Sequence, residues 1–188
     1  MTRDKACARF APTAYAVAIC LCALLAPARA LAFSSTSRTH FYDITGNTAS
    51  ELSDAMERDG PHGYWAYTTW RVRWSGSCKV SVQIDYTMPH WLDRDAAPAA
   101  LREVWDRMLK NLWRHEKGHA EHGLKAAAEI EASHCAGDPH DITDKWIGAD
   151  KAYDEETDHG ARQGVRLPDL AGRTSPSTGQ SSSQAAQP

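Results

Sequence analysis

The chain has 188 residues, 42% of them hydrophobic, with 21 Lys and Arg against 24 Asp and Glu for a formal net charge of −3. The first 30 residues hold four of the bases and one of the acids, so the remainder of the chain carries 17 basic and 23 acidic side chains, net −6. A surface of that sign repels a phosphate backbone, so no nucleic acid is expected as a partner.

In chain order, Arg3, Lys5 and Arg9 precede an apolar run from Ala11 to about Ala26, then Pro27 and the small-residue sites around Ala30 and Ala32. This reads as a signal peptide over residues 1–30, cut after Ala30 or Ala32, with a periplasmic or secreted product. An uncleaved anchor is the alternative. The run is short for a membrane span and no later stretch is apolar enough, so no stable span is expected after cleavage. Cys7, Cys20 and Cys22 leave with this segment. Cys78 and Cys135 remain, in an oxidising compartment, and are expected to pair as one disulfide.

One domain is expected over residues 37–170. His40 to Thr45 suits a short strand, and Ala49 to Arg58 a short amphipathic helix that stops at Gly60-Pro61. From Tyr64 to Trp74 apolar and polar residues alternate, the period of a half-buried strand. Ser75-Gly76-Ser77 turns the chain, and Cys78, Val80, Val82, Ile84 and Tyr86 share one face of the returning strand. Pro89 should end it, and Asp93 or Asp95 can cap a long helix from about Pro98 to Ser133. A second helix is expected over Thr143 to Thr157, capped by Asp141 or Thr143, and residues 173–188 read as a disordered tail. The fold class is therefore α+β, a small antiparallel sheet packed against the long helix and the second helix.

The long helix carries His115-Glu116-Lys117-Gly118-His119. Its apolar stripe runs through Leu101, Val104, Trp105, Met108 and Leu112, meets His115, Glu116 and His119, and resumes at Ala126, Ala127 and Ile130. Positions i and i+4 of a helix share a face, so two imidazoles there can point at one Zn²⁺, with Glu116 beside it as a general base. Left unpartnered on a core-facing stripe, such groups would each lose several kcal/mol of solvation. A solvated helix surface rich in His, Glu and Lys is the alternative. A catalytic zinc takes a third protein ligand, and His122, Asp154 and His159 are the candidates. His115 and His122 lie about 10 Å apart along the axis, too far for both to bind one ion easily.

Six segments, Gly60-Pro61, Thr68-x-Trp70 with Trp74, Cys78, Pro89-x-Trp91, His115-Glu116-Lys117-Gly118-His119 and Tyr153-Asp154-x-x-Thr157-x-His159-Gly160, occur in an order that resembles the predicted secreted zinc-dependent proteases of bacteria, a catalogued domain of unknown function. The resemblance spans roughly His40 to Pro168. It implies a zincin-like metallopeptidase with His115 and His119 as zinc ligands and Glu116 as base, and it favours His159 as the third ligand. Within that frame Asp154 could accept a hydrogen bond from the outer nitrogen of a ligand imidazole and so fix its tautomer, or be a plain surface acid. Tyr153 could donate to a developing oxyanion, or simply fill the core. The expected substrate is a peptide or protein, lying as an added strand on a sheet edge. The rivals are a non-catalytic periplasmic zinc-binding protein, an envelope interaction domain without metal, and an amidase acting on cell-wall amides.

Overall fold

The computed structural model describes residues 33–168. The signal peptide and tail expected over 1–30 and 173–188 lie outside them. In chain order the elements are β1 (Ser34–Ile44), α1 (Ala49–Asp59), β2 (Tyr67–Trp74), β3 (Val80–Trp91), α2 (Ala99–Ala132) and α3 (Pro139–Thr157), with short 3₁₀ turns at Pro61–Gly63, Arg94–Ala96 and Ala161–Gln163. The class is α+β, as the periodicities indicate.

The sheet differs from the expected antiparallel one. Its order is β1-β3-β2: β2 and β3 form an antiparallel hairpin, but β1 runs parallel to β3, from Ser34 opposite Ser81 to Ile44 opposite Trp91. A parallel pair needs a long crossover, which α1 and β2 supply. β1 also starts six residues before His40, because its first eight residues are solvent-exposed on both faces and show no alternation. Phe33, just ahead of it, is buried, and cleavage after either Ala30 or Ala32 would leave it in the chain. β3 continues through Pro89, against expectation. Pro89 lies past Thr87, the last residue that β2 pairs, so on that side there is no ladder bond for its missing N–H to break.

α1 begins at Thr48, whose hydroxyl accepts from the Glu51 N–H while the Glu51 carboxylate accepts from the Asn47 N–H. This is a capping box shifted by one residue. Neither Asp93 nor Asp95 caps α2, which starts after Pro98. α3 starts four residues earlier than expected, capped by Asp138 with Pro139 at its first position.

Two apolar clusters lie along α2. Ile44, Leu52, Met56, Met88, Trp91, Trp105, Met108 and Leu112 pack α1 and the end of β3 against its first half. Val72, Val80, Val82, Ile84, Ala126, Ala127 and Ile130 pack the hairpin against its second half. The Cys78–Cys135 disulfide, with Cα atoms 5.7 Å apart, ties the hairpin to the end of α2 as expected. Between the clusters the buried stripe is polar: His115, Glu116 and His119. No helix among the described residues is long and apolar enough to cross a membrane.

Candidate metal centre

His115 and His119, one turn apart on α2, are both buried and set their Nε2 atoms 3.2 Å from each other. Asp154 of α3 brings Oδ1 to 3.2 Å from the first and 3.1 Å from the second. Three donor atoms thus form a near-equilateral triangle. An ion holding ligands tetrahedrally at roughly 2.0–2.1 Å separates them by roughly 3.3–3.4 Å, so the triangle has the size of one face of a metal tetrahedron. These residues could hold a metal ion.

The close approach of α3 rests on Gly118. A Cβ there would collide with the ring of Tyr153, which stacks on His115 (centroids 5.1 Å, planes 15° apart) and meets His119 edge-on. Gly118 therefore admits the close approach of α3.

A further residue, Asp150, completes the arrangement. Its Oδ1 accepts from His119 Nδ1 (2.9 Å) and His122 Nδ1 (2.6 Å), and its Oδ2 accepts from the Trp70 indole N–H (3.1 Å). An ionised carboxylate only accepts, so both imidazoles must carry a proton on Nδ1, which leaves His119 Nε2 free to coordinate. The sequence motifs do not single out Asp150. The readable signal is its spacing: Asp150 and Asp154 are i and i+4 on α3, as His115 and His119 are on α2. His119, His122 and Asp150 form a second close donor group, which shares His119 with the first. His115 has no such partner, and its Nδ1 is buried without a hydrogen bond.

The charges follow from this geometry. Burial works against a charged His119 ring, yet its bonds to Asp150 and Asp154 outweigh that and raise its pKa to about 10. Burial would raise both aspartates, but the imidazole partners hold Asp154 and Asp150 below the usual carboxylate range. The metal-free site thus keeps two ionised carboxylates around a protonated His119, a place already holding one positive charge. Glu116 is buried beside it, its carboxyl raised by burial and partly restrained by the Thr68 hydroxyl, which donates to Oε2 at 2.6 Å.

Residues 39–160 match a family model described as bacterial protein of unknown function (DUF922). The chain belongs to that family. No curated protein and no solved structure matches it. The DUF922 match takes in His115, Glu116, His119, Asp150, Asp154 and His159, so all of these candidate donors fall inside the family's domain.

Two other expected site residues of this DUF922 chain, His159 and Tyr153, stand apart from the donor triangle. His159 is placed by three consecutive left-handed residues, Asp158, His159 and Gly160 (φ 53°, 47° and 83°), which turn the chain back over the site after α3. Its Nδ1 lies 3.6 Å from Asp154 Oδ1, its side chain is 55% exposed, and it is not among the donors that converge. The Tyr153 hydroxyl exchanges hydrogen bonds with Gln163 (2.9 and 3.2 Å) and does not line the cavity above the site. That cavity, about 620 Å³, has His115, Glu116, His119, Asp154 and His159 on its surface, with the Gly63–Thr68 segment forming one wall.

Proposed function

We propose that this chain is an exported zinc-dependent hydrolase of peptide amides, zincin-like in the placement of its motif helix under a sheet. The observation that carries the reading is the convergence of His115 Nε2, His119 Nε2 and Asp154 Oδ1 at tetrahedral spacing in the wall of a cavity, with a buried carboxyl, Glu116, alongside. Two imidazoles and one carboxylate with an open fourth position is a donor set suited to catalytic Zn²⁺. When bound, the ion supplies Lewis acidity, which polarises a carbonyl and makes water a better nucleophile near neutral pH.

The residues of the chain do the rest. Asp150 holds His119 in the tautomer that leaves Nε2 free, and Tyr153 packs both rings in place, a positioning role that its hydrogen bonds favour over donation to an oxyanion. Glu116 takes a proton from the attacking water and returns it to the leaving amine. Its raised pKa brings it nearer the neutral range, where a base can both accept and release. Of the candidates for third ligand, Asp154 is favoured by geometry over His159, which faces the open side of the cavity. The outer edge of β2 carries no strand among the described residues, so an extended peptide can approach beside the cavity wall. The disulfide supports an extracytoplasmic location.

Glu116→Gln tests the reading. The amide keeps the shape and can still accept from Thr68, so metal content stays near one per chain while turnover of a peptide substrate falls by about 10²–10⁴-fold. Unchanged turnover refutes the base assignment. Purified protein with no stoichiometric metal refutes the reading as a whole.

A further inference from the structure

Five large hydrophobic residues are exposed among the described residues, and three of them, Tyr64 (43%), Tyr67 (39%) and Ile147 (43%), line the same cavity. Scattered singly, exposed apolar side chains need no explanation, but a group of them around one concavity marks a ligand groove. Here they form two facing walls. On one side Tyr64 and Tyr67 stack with planes 15° apart, and the row continues to His62 at 5.1 Å beyond Tyr67 and to His159 at 5.4 Å beyond Tyr64. On the other side Ile147 projects from α3, one turn before Asp150.

The charge of the lining limits what fits between the walls. Glu57, Glu116, Asp150 and Asp154 are set against Lys151 as the one Lys or Arg. A bound divalent cation would offset the acids closest to it and leave Glu57 unanswered. An acidic side chain is therefore disfavoured there, with Lys151 as the one Lys or Arg side chain in the lining to bond it. A volume of about 620 Å³ exceeds a single side chain and falls within the range of small-ligand sites.

Resting on the hydrolase reading, we propose that the cleft between Tyr64, Tyr67 and Ile147 is a specificity pocket that takes a large apolar, preferably aromatic, side chain of a peptide beside the amide to be cleaved. Aromatic platforms also stack on sugars, whose hydroxyls the acids of the lining could bond, but Ile147 adds an aliphatic contact that suits an apolar side chain better, and the test separates the two.

The test uses the mature, zinc-loaded Glu116→Gln protein and a set of blocked hexapeptides of alanine and glycine with one variable residue, Phe, Leu, Ala or Glu, measured by calorimetry. A muramyl tripeptide serves as the cell-wall probe. The expected order is Phe, Leu, Ala, Glu, with the Phe peptide bound about 10- to 100-fold more tightly than the Ala peptide, the gain from burying one such side chain. Tyr64→Ser and Ile147→Ser, each in that same background, should bring the Phe peptide to within about threefold of the Ala peptide, without shifting the melting temperature, because both side chains are exposed. The wild type should show the same order in kcat/KM. No binding of any peptide, no preference among them, a preference that survives both substitutions, or tighter binding of the muramyl tripeptide than of the Phe peptide overturns the proposal. Peptide binding in the expected order without cleavage by the wild type would instead refute the hydrolase reading and leave the pocket standing.

Discussion

Asp154→Ala separates the two candidates for third ligand. Four-ligand zinc sites in peptides bind with roughly 10–16 kcal/mol, about 2.5–4 kcal/mol per ligand, so deleting one costs roughly two to three orders of magnitude in affinity. Part of that loss is returned. Asp154 is one of the two carboxylates that hold the proton on His119, whose pKa of about 10 means that at pH 7.5 a proton competes with the metal by roughly 300-fold. Removing one of the two carboxylates relieves about tenfold of this competition, leaving a net loss of about 10- to 100-fold. His159→Ala should weaken binding by less than about threefold, since its ring stands off the convergent triangle. Competition against a chromophoric zinc chelator at fixed pH reads both numbers, and the visible spectrum of the cobalt-substituted protein reports whether the coordination sphere has changed. If His159→Ala lost metal a hundredfold while Asp154→Ala kept it, the inference from donor spacing would be wrong and the ligand favoured by family resemblance would be right.

Three other outcomes are expected. Zinc affinity should rise about tenfold per pH unit from pH 7 toward 10, as the His119 proton is displaced, whereas metal-free stability should fall across the same interval. The sign is fixed because a histidine raised from 6.5 to about 10 stabilises in full below 6.5 and loses that contribution as pH approaches 10. Thermal melts of metal-free protein that rise between pH 6.5 and 9 would contradict it. Cys78→Ser with Cys135→Ser opens a loop spanning 57 positions. That should remove about 4 kcal/mol and lower the melting temperature by on the order of 10–20 °C, as read by calorimetry. Gly118→Ala should destabilise by about 1–3 kcal/mol in denaturant melts and weaken zinc binding with it, because the new methyl displaces Tyr153 from His115; a neutral result would mean that the helices are not in contact there.

The parts of the fold legible in the sequence are local. His115, Glu116 and His119 announce themselves because one helical turn both groups them and sets them on the buried stripe, and Cys78 with Cys135 are the two cysteines left after the N-terminal segment. The pairing of β1 is not readable, since an edge strand exposed on both faces has no alternation and a parallel partner 47 residues away leaves no turn signal. The start of α3 is hidden by competing caps: Asp141 and Thr143 suit the position, but Asp138-Pro139 wins, an acid at the cap with a proline after it whose missing N–H costs the first turn nothing. The approach of Asp154 to His115 and His119 depends on how two helices cross, which helical phase on either one cannot specify. Even so, the matched four-residue spacing of two acids on α3 and two histidines on α2 is visible in the sequence.

That spacing bears on how the second helix is held. α3 is 19 residues long yet fully buries only Pro139 and Thr157. The contacts that join α3 to α2 are polar and aromatic, Asp150 to His119 and His122, Lys145 and the Trp146 indole to Glu129, and the Tyr153 ring laid on His115, with Ile142 and Trp146 packed part-buried against the hairpin cluster. Exposed pairs of the Lys145–Glu129 kind contribute about 0–1 kcal/mol, so among the polar contacts the carboxylate–imidazole ones matter most. Those contacts place a proton where a cation could sit, and the proton is held by the same aspartates that would serve the cation. A metal that replaces it would be gripped from α2 by two ligands and from α3 by one, so part of its binding free energy becomes adhesion between the helices. Loading the site would then strengthen the attachment of α3 more than that of α2, which is anchored by two apolar clusters.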